Sequence, residues 1–143
     1  MKKTIILILC IMLIILAFVI GKYLNYRAKY SEIKKENLEY EYYYQKEIYG
    51  TEIATIVNKA VNQNEKNQVS KNENGKYIQN NTNSIKIEIH MSDNETLYDM
   101  ETLYNGGMTK FVQYYNLIKF ACTEITYNDE GKVKYMYFEQ ITE

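Results

Sequence analysis

The chain opens with its longest apolar run. After Lys2 and Lys3, every residue from Ile5 to Ile20 is apolar, and no charged side chain interrupts the run. A helix over residues 4–21 is roughly 27 Å long at about 1.5 Å per residue, close to the roughly 30 Å of bilayer hydrocarbon. We therefore predict that residues 1–21 form a transmembrane signal anchor, which contacts the lipid bilayer through residues 4–21.

Two other interpretations of this run fit it less well. A cleaved signal peptide needs small residues before the cleavage point, and the stretch from Ala17 to Gly21 lacks that pattern. A lipoprotein anchor at Cys10 needs a small residue before it, whereas Leu9 is large. Basic residues flank both ends of the run, but its short basic start is typical of a secretory signal. We expect a single-pass protein of the cell membrane with an extracytoplasmic C-terminal domain.

A second periodic segment covers residues 22–49. It contains no Gly or Pro from 22 to 48, and apolar side chains recur at helical spacing on one face. The pattern predicts an amphipathic helical stalk whose apolar stripe is a packing seam or a surface for self-association. Its spacing is heptad-like, although Asn37 interrupts it. The seam consists of Tyr23, Tyr26, Tyr30, Ile33, Tyr40 and Tyr44.

Gly50 ends the stalk pattern, and a new helical pattern follows with Thr51 as its expected N-cap. In a straight helix, the new apolar set, which begins at Ile53, would point away from the seam. Tyr42 and Tyr49 fall on the same side as this new set. The sequence therefore predicts a junction between stalk and domain at Tyr42, Tyr49 and Gly50.

The remaining chain alternates between strand and helix patterns. "SIKIEIHM" alternates strictly and predicts a strand, and residues 96–100 can return as a second one. Residues 101–116 are helical in character, with a break at the pair of glycines 106–107. "LIKFACTEITY" and "KVKYMYFEQI" flank "NDEG", a hairpin signal, and a change of alternation predicts a bulge near Thr123 and Glu124. Both faces of the last strand are apolar, which predicts a central or helix-covered position.

These elements predict an α+β protein. An N-terminal transmembrane helix (1–21) and a helical stalk (22–49) precede a small α+β extracytoplasmic domain (50–143). That domain is expected to hold an antiparallel sheet of four or five strands with packed helices.

Charge argues against a nucleic-acid partner. The chain has 17 basic and 18 acidic side chains, and setting Lys2 and Lys3 aside leaves 15 basic ones after the anchor, a net charge near −3. A nucleic-acid-binding domain presents a basic patch, so no nucleic-acid partner is expected. Cysteine usage excludes a disulfide framework, because Cys10 lies in the anchor and leaves Cys122 without an intramolecular partner.

Few residues suit catalysis. The only histidine, His90, falls on the polar face of the first predicted strand, whereas Cys122 has the parity of a core residue. A Cys–His pair would therefore have its members in opposite environments. Two cysteines and one histidine cannot supply a four-ligand zinc site. We predict no catalytic, cofactor-binding or metal site, expect no cofactor, and do not expect an enzyme.

Tyrosine is the anomaly of the composition, with sixteen copies in the chain. Tyrosine suits interfaces because it buries a large ring and keeps a polar tip. Lys, Asn and Ile are enriched alongside it and Pro is absent, which equally fits a general compositional bias. Both interpretations stay open at this level.

Stretches such as "EIYGTEIATIVNKAV" and "NSIKIEI" resemble small single-pass membrane-anchored proteins of unassigned role from AT-rich Gram-positive bacteria. That resemblance implies membrane anchorage and no specific activity. The layout is also similar to type IV pilins and pseudopilins, in which an apolar helix and its amphipathic continuation precede an antiparallel sheet. The chain departs from them because its apolar run starts directly after Lys3 and holds no acidic residue.

The expected function is that of a membrane-anchored extracytoplasmic protein-interaction or structural domain, with a protein partner or self-association. A minor pilin-like assembly subunit is the first alternative. A cell-envelope ligand-binding protein or enzyme is the second.

Overall fold

The computed structural model describes residues 2–93 and 95–142. The chain divides into two compact units, one up to Lys35 and one from Glu36 onward. The boundary lies within the first helix, α1, which runs from Lys2 to Glu41. The first unit is therefore helical, and the sheet belongs to the second.

The apolar part of α1 exposes its side chains. Large apolar residues between Ile5 and Ile20 are 48–69% exposed. Among the described residues, α1 is the one helix long and apolar enough to cross a membrane. Apolar surface of this kind is unfavourable in water by about 25 cal/mol per Å² and is accommodated by lipid. The helix thus fits the predicted transmembrane anchor.

The second unit contains a five-stranded sheet with helices packed on it. In chain order its elements are β1 (Glu47–Tyr49), α2 (Gly50–Lys66), β2 (Lys86–Met91), β3 (Thr96–Asp99), α3 (Met100–Thr102), a π-helical turn (Leu103–Gly107), α4 (Met108–Tyr115), β4 (Lys119–Tyr127) and β5 (Val133–Gln140). The strands are ordered β1-β4-β5-β2-β3. The α+β class predicted from the sequence is confirmed.

The predicted antiparallel arrangement needs one correction. Three strand pairings are antiparallel, but β2 pairs with β5 in parallel, which makes the sheet mixed. The reason lies in the helical connection through α3 and α4, which carries the chain back along the sheet before β4 begins. Strand β4 therefore runs in the direction of β3, and the hairpin into β5 places β5 parallel to β2.

The predicted local features of the last hairpin are confirmed. The register of β4 against β5 shifts between Cys122 and Glu124, which is the expected bulge. The turn that joins the strands contains Gly131 at φ 79°, a conformation that favours glycine. Strand β5 lies in the middle of the sheet, which explains why both of its faces are apolar.

The core lies between one face of the sheet and the helices. On α2, Ile53, Ile56 and Val57 are fully buried, and on β2 so are Ile87 and Ile89. These are the residues that helical spacing and strict alternation had assigned to the core. Full burial of one such side chain stabilises the fold by about 1.5–3 kcal/mol.

The end of α1 differs from the predicted stalk. The helix ends at Glu41, and residues 47–49, expected to be helical, form β1 and pair with β4. The amide of Asn37 donates to the Gly131 carbonyl oxygen at 2.7 Å and accepts the Val133 N–H at 3.0 Å. These bonds attach the last turns of α1 to the β4–β5 hairpin. Sheet pairing by Ile48 then replaces the helical hydrogen bonds that the sequence pattern predicted.

Helix α2 starts two residues earlier than expected. Tyr49, not Thr51, is its N-cap, and the Tyr49 N–H donates to the Glu52 carboxylate at 2.9 Å. Tyr49 is held in an extended conformation by its pairing with Lys119, so the helix begins where the strand pairing stops. Glu52 lies in the first turn of α2, where a negative charge interacts favourably with the helix dipole.

Candidate interaction face

The predicted seam and junction residues do not form one surface. Tyr40 is 3% exposed within the second unit, and Gly50 is buried. The tyrosines proposed for the junction, Tyr42 and Tyr49, are 58% and 46% exposed. The helical projection failed for them because α1 ends at Glu41 and Tyr49 belongs to a strand. In the remaining seam, Tyr23, Tyr26, Tyr30 and Tyr44 are exposed and Ile33 is half-buried.

Residues of α1 from Glu36 onward instead attach to the sheet-bearing unit. Tyr127 donates its hydroxyl to Glu41 at 3.0 Å, and Glu36 lies 3.7 Å from the Lys132 ammonium. Burial and then the bond to Glu41 raise the pKa of Tyr127 to about 12. Burial, reinforced by nearby Glu36, raises the pKa of Tyr40. Both tyrosines are therefore neutral at physiological pH; Tyr40 packs in the core, and Tyr127 acts as a hydrogen-bond donor.

The sheet has one face that the helices do not cover, which we call the open face. It consists of Lys86, Glu88 and His90 on β2 with Tyr135 and Tyr137 on β5. All five are half-buried, while the residues between them point into the core. The parallel register sets Lys86 beside Tyr135 and Glu88 beside Tyr137. Sequence alternation located the β2 residues, but only the parallel pairing brings the two tyrosines next to them.

Hydrogen bonds hold the open face in a fixed arrangement. The Tyr135 hydroxyl donates to Glu88 at 2.8 Å, and Lys86 forms an ion pair with the same carboxylate. The ring of His90 stacks on Tyr137 with centroids 6.3 Å apart, and its Nε2 lies 3.2 Å from the Glu95 carboxylate. The face therefore presents two preoriented aromatic rings among charges of both signs.

Glu88 has a perturbed acidity. Burial alone would raise its pKa, but the hydrogen bonds from Lys86 and Tyr135 outweigh burial, and the pKa of Glu88 is lowered. Burial, followed by the hydrogen bond to Glu88, raises the pKa of Tyr135. The carboxylate is therefore ionised and the phenol is protonated over the physiological range.

We expect Glu88→Gln to reduce stability at neutral pH and to have a smaller effect in acid. A carboxylate with a lowered folded pKa stabilises the fold above its ordinary pKa of about 4.3, and that contribution is lost as pH falls through the folded pKa. The melting temperatures of the two proteins should differ more at pH 7 than at pH 3. Glu73→Gln, at an exposed position, is the matched control. An equal gap at both pH values would contradict this role of Glu88.

A groove borders the open face on the side of the loop that joins α2 to β2. It encloses about 470 Å³ and contains two lysines, one tyrosine and three amide side chains. A second groove of about 410 Å³ lies on the other side of Lys86. Among the described residues, the side chains that line the first groove are basic, amide or phenolic, which suits an acidic or amide group of a partner. Its lining residues are Gln79, Asn80, Asn81, Lys86, Lys134 and Tyr135.

Asparagine side chains shape the loop that walls this groove. The Asn80 side-chain oxygen accepts the N–H groups of Thr82, Asn83 and Ser84 at 2.9–3.2 Å. Asn128 donates to the Thr82 carbonyl oxygen at 2.7 Å. Composition alone does not show which asparagines bond to which backbone groups. The wall of the groove is therefore an ordered structure built on amide bonds.

The two residues considered for catalysis, Cys122 and His90, lie on opposite sides of the sheet. Cys122 is 2% exposed in the core, where burial raises the pKa of its thiol to about 11. His90 lies on the open face, on the opposite side of the sheet. Among the described residues, no three His, Cys, Asp or Glu side chains are arranged to hold a metal ion.

The fold and the face define a class: an α+β protein with an N-terminal helix able to span a membrane and an uncovered, tyrosine-bearing sheet face. Comparison of the chain with protein-family models, with curated proteins and with solved structures finds no match.

Proposed function

We propose that the protein is a membrane-anchored extracytoplasmic interaction module that binds a protein partner through its open face. The observation that carries the proposal is the pair Tyr135 and Tyr137, held beside Lys86 and Glu88 by the parallel strand register. Tyrosine is enriched at protein interfaces because its ring buries area while its hydroxyl keeps a polar contact. The apolar helix α1 supports the anchorage.

The chemistry of the face indicates the kind of partner. The groove beside Tyr135 contains Lys86, which is already paired with Glu88, and Lys134 among amides. The Lys134 ammonium is therefore the group that an acidic side chain of a partner segment complements. The adjacent rings of Tyr135 and Tyr137 provide contact area for aliphatic or aromatic side chains. Because Tyr135 and Glu88 already bond to each other, little ordering cost arises on binding.

A photo-crosslinking amino acid at Tyr137 tests the proposal in cells that produce the full chain. We expect a discrete crosslinked product from Tyr137 and none from the same group at Asn58, which is exposed on α2. Protease added to intact protoplasts should remove the second unit, as an extracytoplasmic location requires. Absence of a product at Tyr137, or equal products at both positions, would contradict the interaction role. Protection from protease would contradict the topology alone.

A pilin-like assembly subunit is the second candidate. Its support is the uninterrupted 40-residue helix α1, whose N-terminal part is apolar. The same crosslinking experiment separates the candidates. A ladder at multiples of the 17.0 kDa mass favours assembly of this chain, whereas a single product of another mass favours a distinct partner.

A further inference from the structure

The part of α1 that directly follows the apolar run combines tyrosines with cations. Tyr23 and Tyr26 are 59% and 70% exposed, and Lys22 and Arg27 stand beside them in the sequence. Tyrosine with lysine or arginine just beyond an apolar span is the composition of the membrane–water interface, where amphipathic rings lie among lipid headgroups.

We propose that Tyr23 and Tyr26, together with Lys22 and Arg27, bind the headgroup layer of the bilayer. Lipid, and not a protein partner, then covers this part of the predicted seam. The inference rests on the proposed membrane anchorage and goes beyond it, because it extends the lipid contact past residue 21 and assigns an occupant to exposed aromatic side chains.

The helical rise determines which tyrosines reach the headgroups. Tyr23 lies about 3 Å and Tyr26 about 8 Å beyond Gly21 along the helix axis, at about 1.5 Å per residue. The headgroup layer is roughly 5–8 Å thick on each side of the hydrocarbon. Tyr30, about 14 Å beyond Gly21 by the same rise, lies outside that layer. The proposal therefore separates two tyrosines of the stripe from the third.

A cation–π contact lies at the end of the apolar run. The Lys22 ammonium lies 5.5 Å from the centroid of the Phe18 ring, one turn earlier in α1. The first cation after the apolar run thus lies beside the last aromatic ring of that run, in a cation–π contact. Arg27 adds a second cation at the level of Tyr26, and lipid phosphates complement both.

The competing occupant, a second copy packed along the whole seam, is not favoured by the rest of the stripe. Tyr40 belongs to the same stripe and is 3% exposed within the second unit of its own chain. A seam that extended to Tyr40 and Tyr44 would need this buried ring to be accessible. The exposed tyrosines near Gly21 therefore form a separate group, continuous with the lipid-facing run.

The chain contains no tryptophan, so one introduced tryptophan reports its own environment. Four full-length variants with a single tryptophan are placed in phosphatidylcholine–phosphatidylglycerol vesicles that contain lipids brominated high on the acyl chain. The variants are Phe18→Trp, Tyr23→Trp, Tyr26→Trp and Tyr30→Trp. Tyr114→Trp, at a position 69% exposed on α4, is the aqueous control. We expect quenching and blue-shifted emission at positions 18, 23 and 26, and emission like that of the control at position 30.

The outcomes distinguish this inference from the anchorage on which it rests. Quenching at position 18 with control-like emission at 23 and 26 overturns the headgroup contact and leaves the anchor intact. Control-like emission at position 18 overturns both. The emission at positions 23 and 26 could instead change with the protein-to-lipid ratio and not with the brominated lipid. That result assigns these tyrosines to contact with a second copy and overturns the proposal.

Discussion

Replacing Asn64 by alanine is expected to lower the free energy of unfolding by about 2–5 kcal/mol, because two buried backbone groups lose their partners. Asn64 is fully buried on α2. Its amide donates to the Ile85 carbonyl oxygen at 2.8 Å and accepts the Ile85 N–H at 2.8 Å. The side chain thus acts as a neighbouring strand would at the start of β2. Alanine leaves both groups of Ile85 without these bonds and opens a gap in the core.

Urea unfolding of the full-length protein in detergent, followed by circular dichroism, measures the effect. The midpoint should fall while the dependence on urea concentration stays the same, since the surface exposed on unfolding hardly changes. Asn62→Ala is the matched control, because Asn62 lies on the same helix and is exposed. A midpoint for Asn64→Ala equal to that of Asn62→Ala would show that the two bonds contribute nothing to stability.

The asparagines show where prediction from the sequence stops. Asn37, Asn64 and Asn128 each use the side-chain amide in place of backbone pairing, and their most distant partners lie 96, 21 and 46 positions away along the chain. Periodicity places an asparagine on a helix or in a loop, but it carries no information about partners so distant in sequence. Asn37 illustrates this limit well. The sequence marked it as an interruption of the seam, whereas the structure uses it to attach α1 to the last hairpin.

Alternation and turn chemistry succeeded where the structure is locally determined. The strand at Ile87 and Ile89, the hairpin at Gly131 and the bulge near Cys122 follow from neighbouring residues, and all three are present. The parallel contact of β2 with β5 depends on how the chain returns through the α3–α4 connection. Strand patterns do not encode that return path.

The candidate face was predictable only in part for the same reason. His90 was assigned to the polar face of its strand, and the structure places it on the open face together with Glu88. Tyr135 and Tyr137 were visible as alternating residues of the last strand. Their position beside Glu88 required the strand register, so the sequence alone could not join the two halves of the face.

Gly50 was predicted to matter as the place where the apolar face changes sides, and the structure gives a different reason for its importance. A Cβ atom at this position would lie 2.1 Å from the Tyr115 carbonyl oxygen and 2.7 Å from its carbonyl carbon. The Gly50 N–H also donates a hydrogen bond to the Ile118 carbonyl oxygen at 3.1 Å. The start of α2 thus lies directly against the backbone at the end of α4, and a glycine is required because of this close approach.

Gly50→Ala is therefore expected to reduce stability by about 3 kcal/mol, the upper part of the range for overpacking a filled site. Helix propensity acts in the opposite direction, since alanine is favoured over glycine by up to about 1 kcal/mol within a helix. The contact should dominate because backbone atoms of Tyr115 cannot rotate away as a side chain could.

Gly21→Ala is the matched control, because nothing lies within 4 Å of a Cβ atom built on Gly21. Alanine at position 21 acts mainly through helix propensity and should leave the urea midpoint of the sheet-bearing unit unchanged. If Gly50→Ala had the same urea midpoint as Gly21→Ala, the ends of α2 and α4 would have to separate without a loss of stability. A loss of stability confined to Gly50→Ala would show that the close contact of Gly50 with the Tyr115 backbone fixes the packing of α2 against α4.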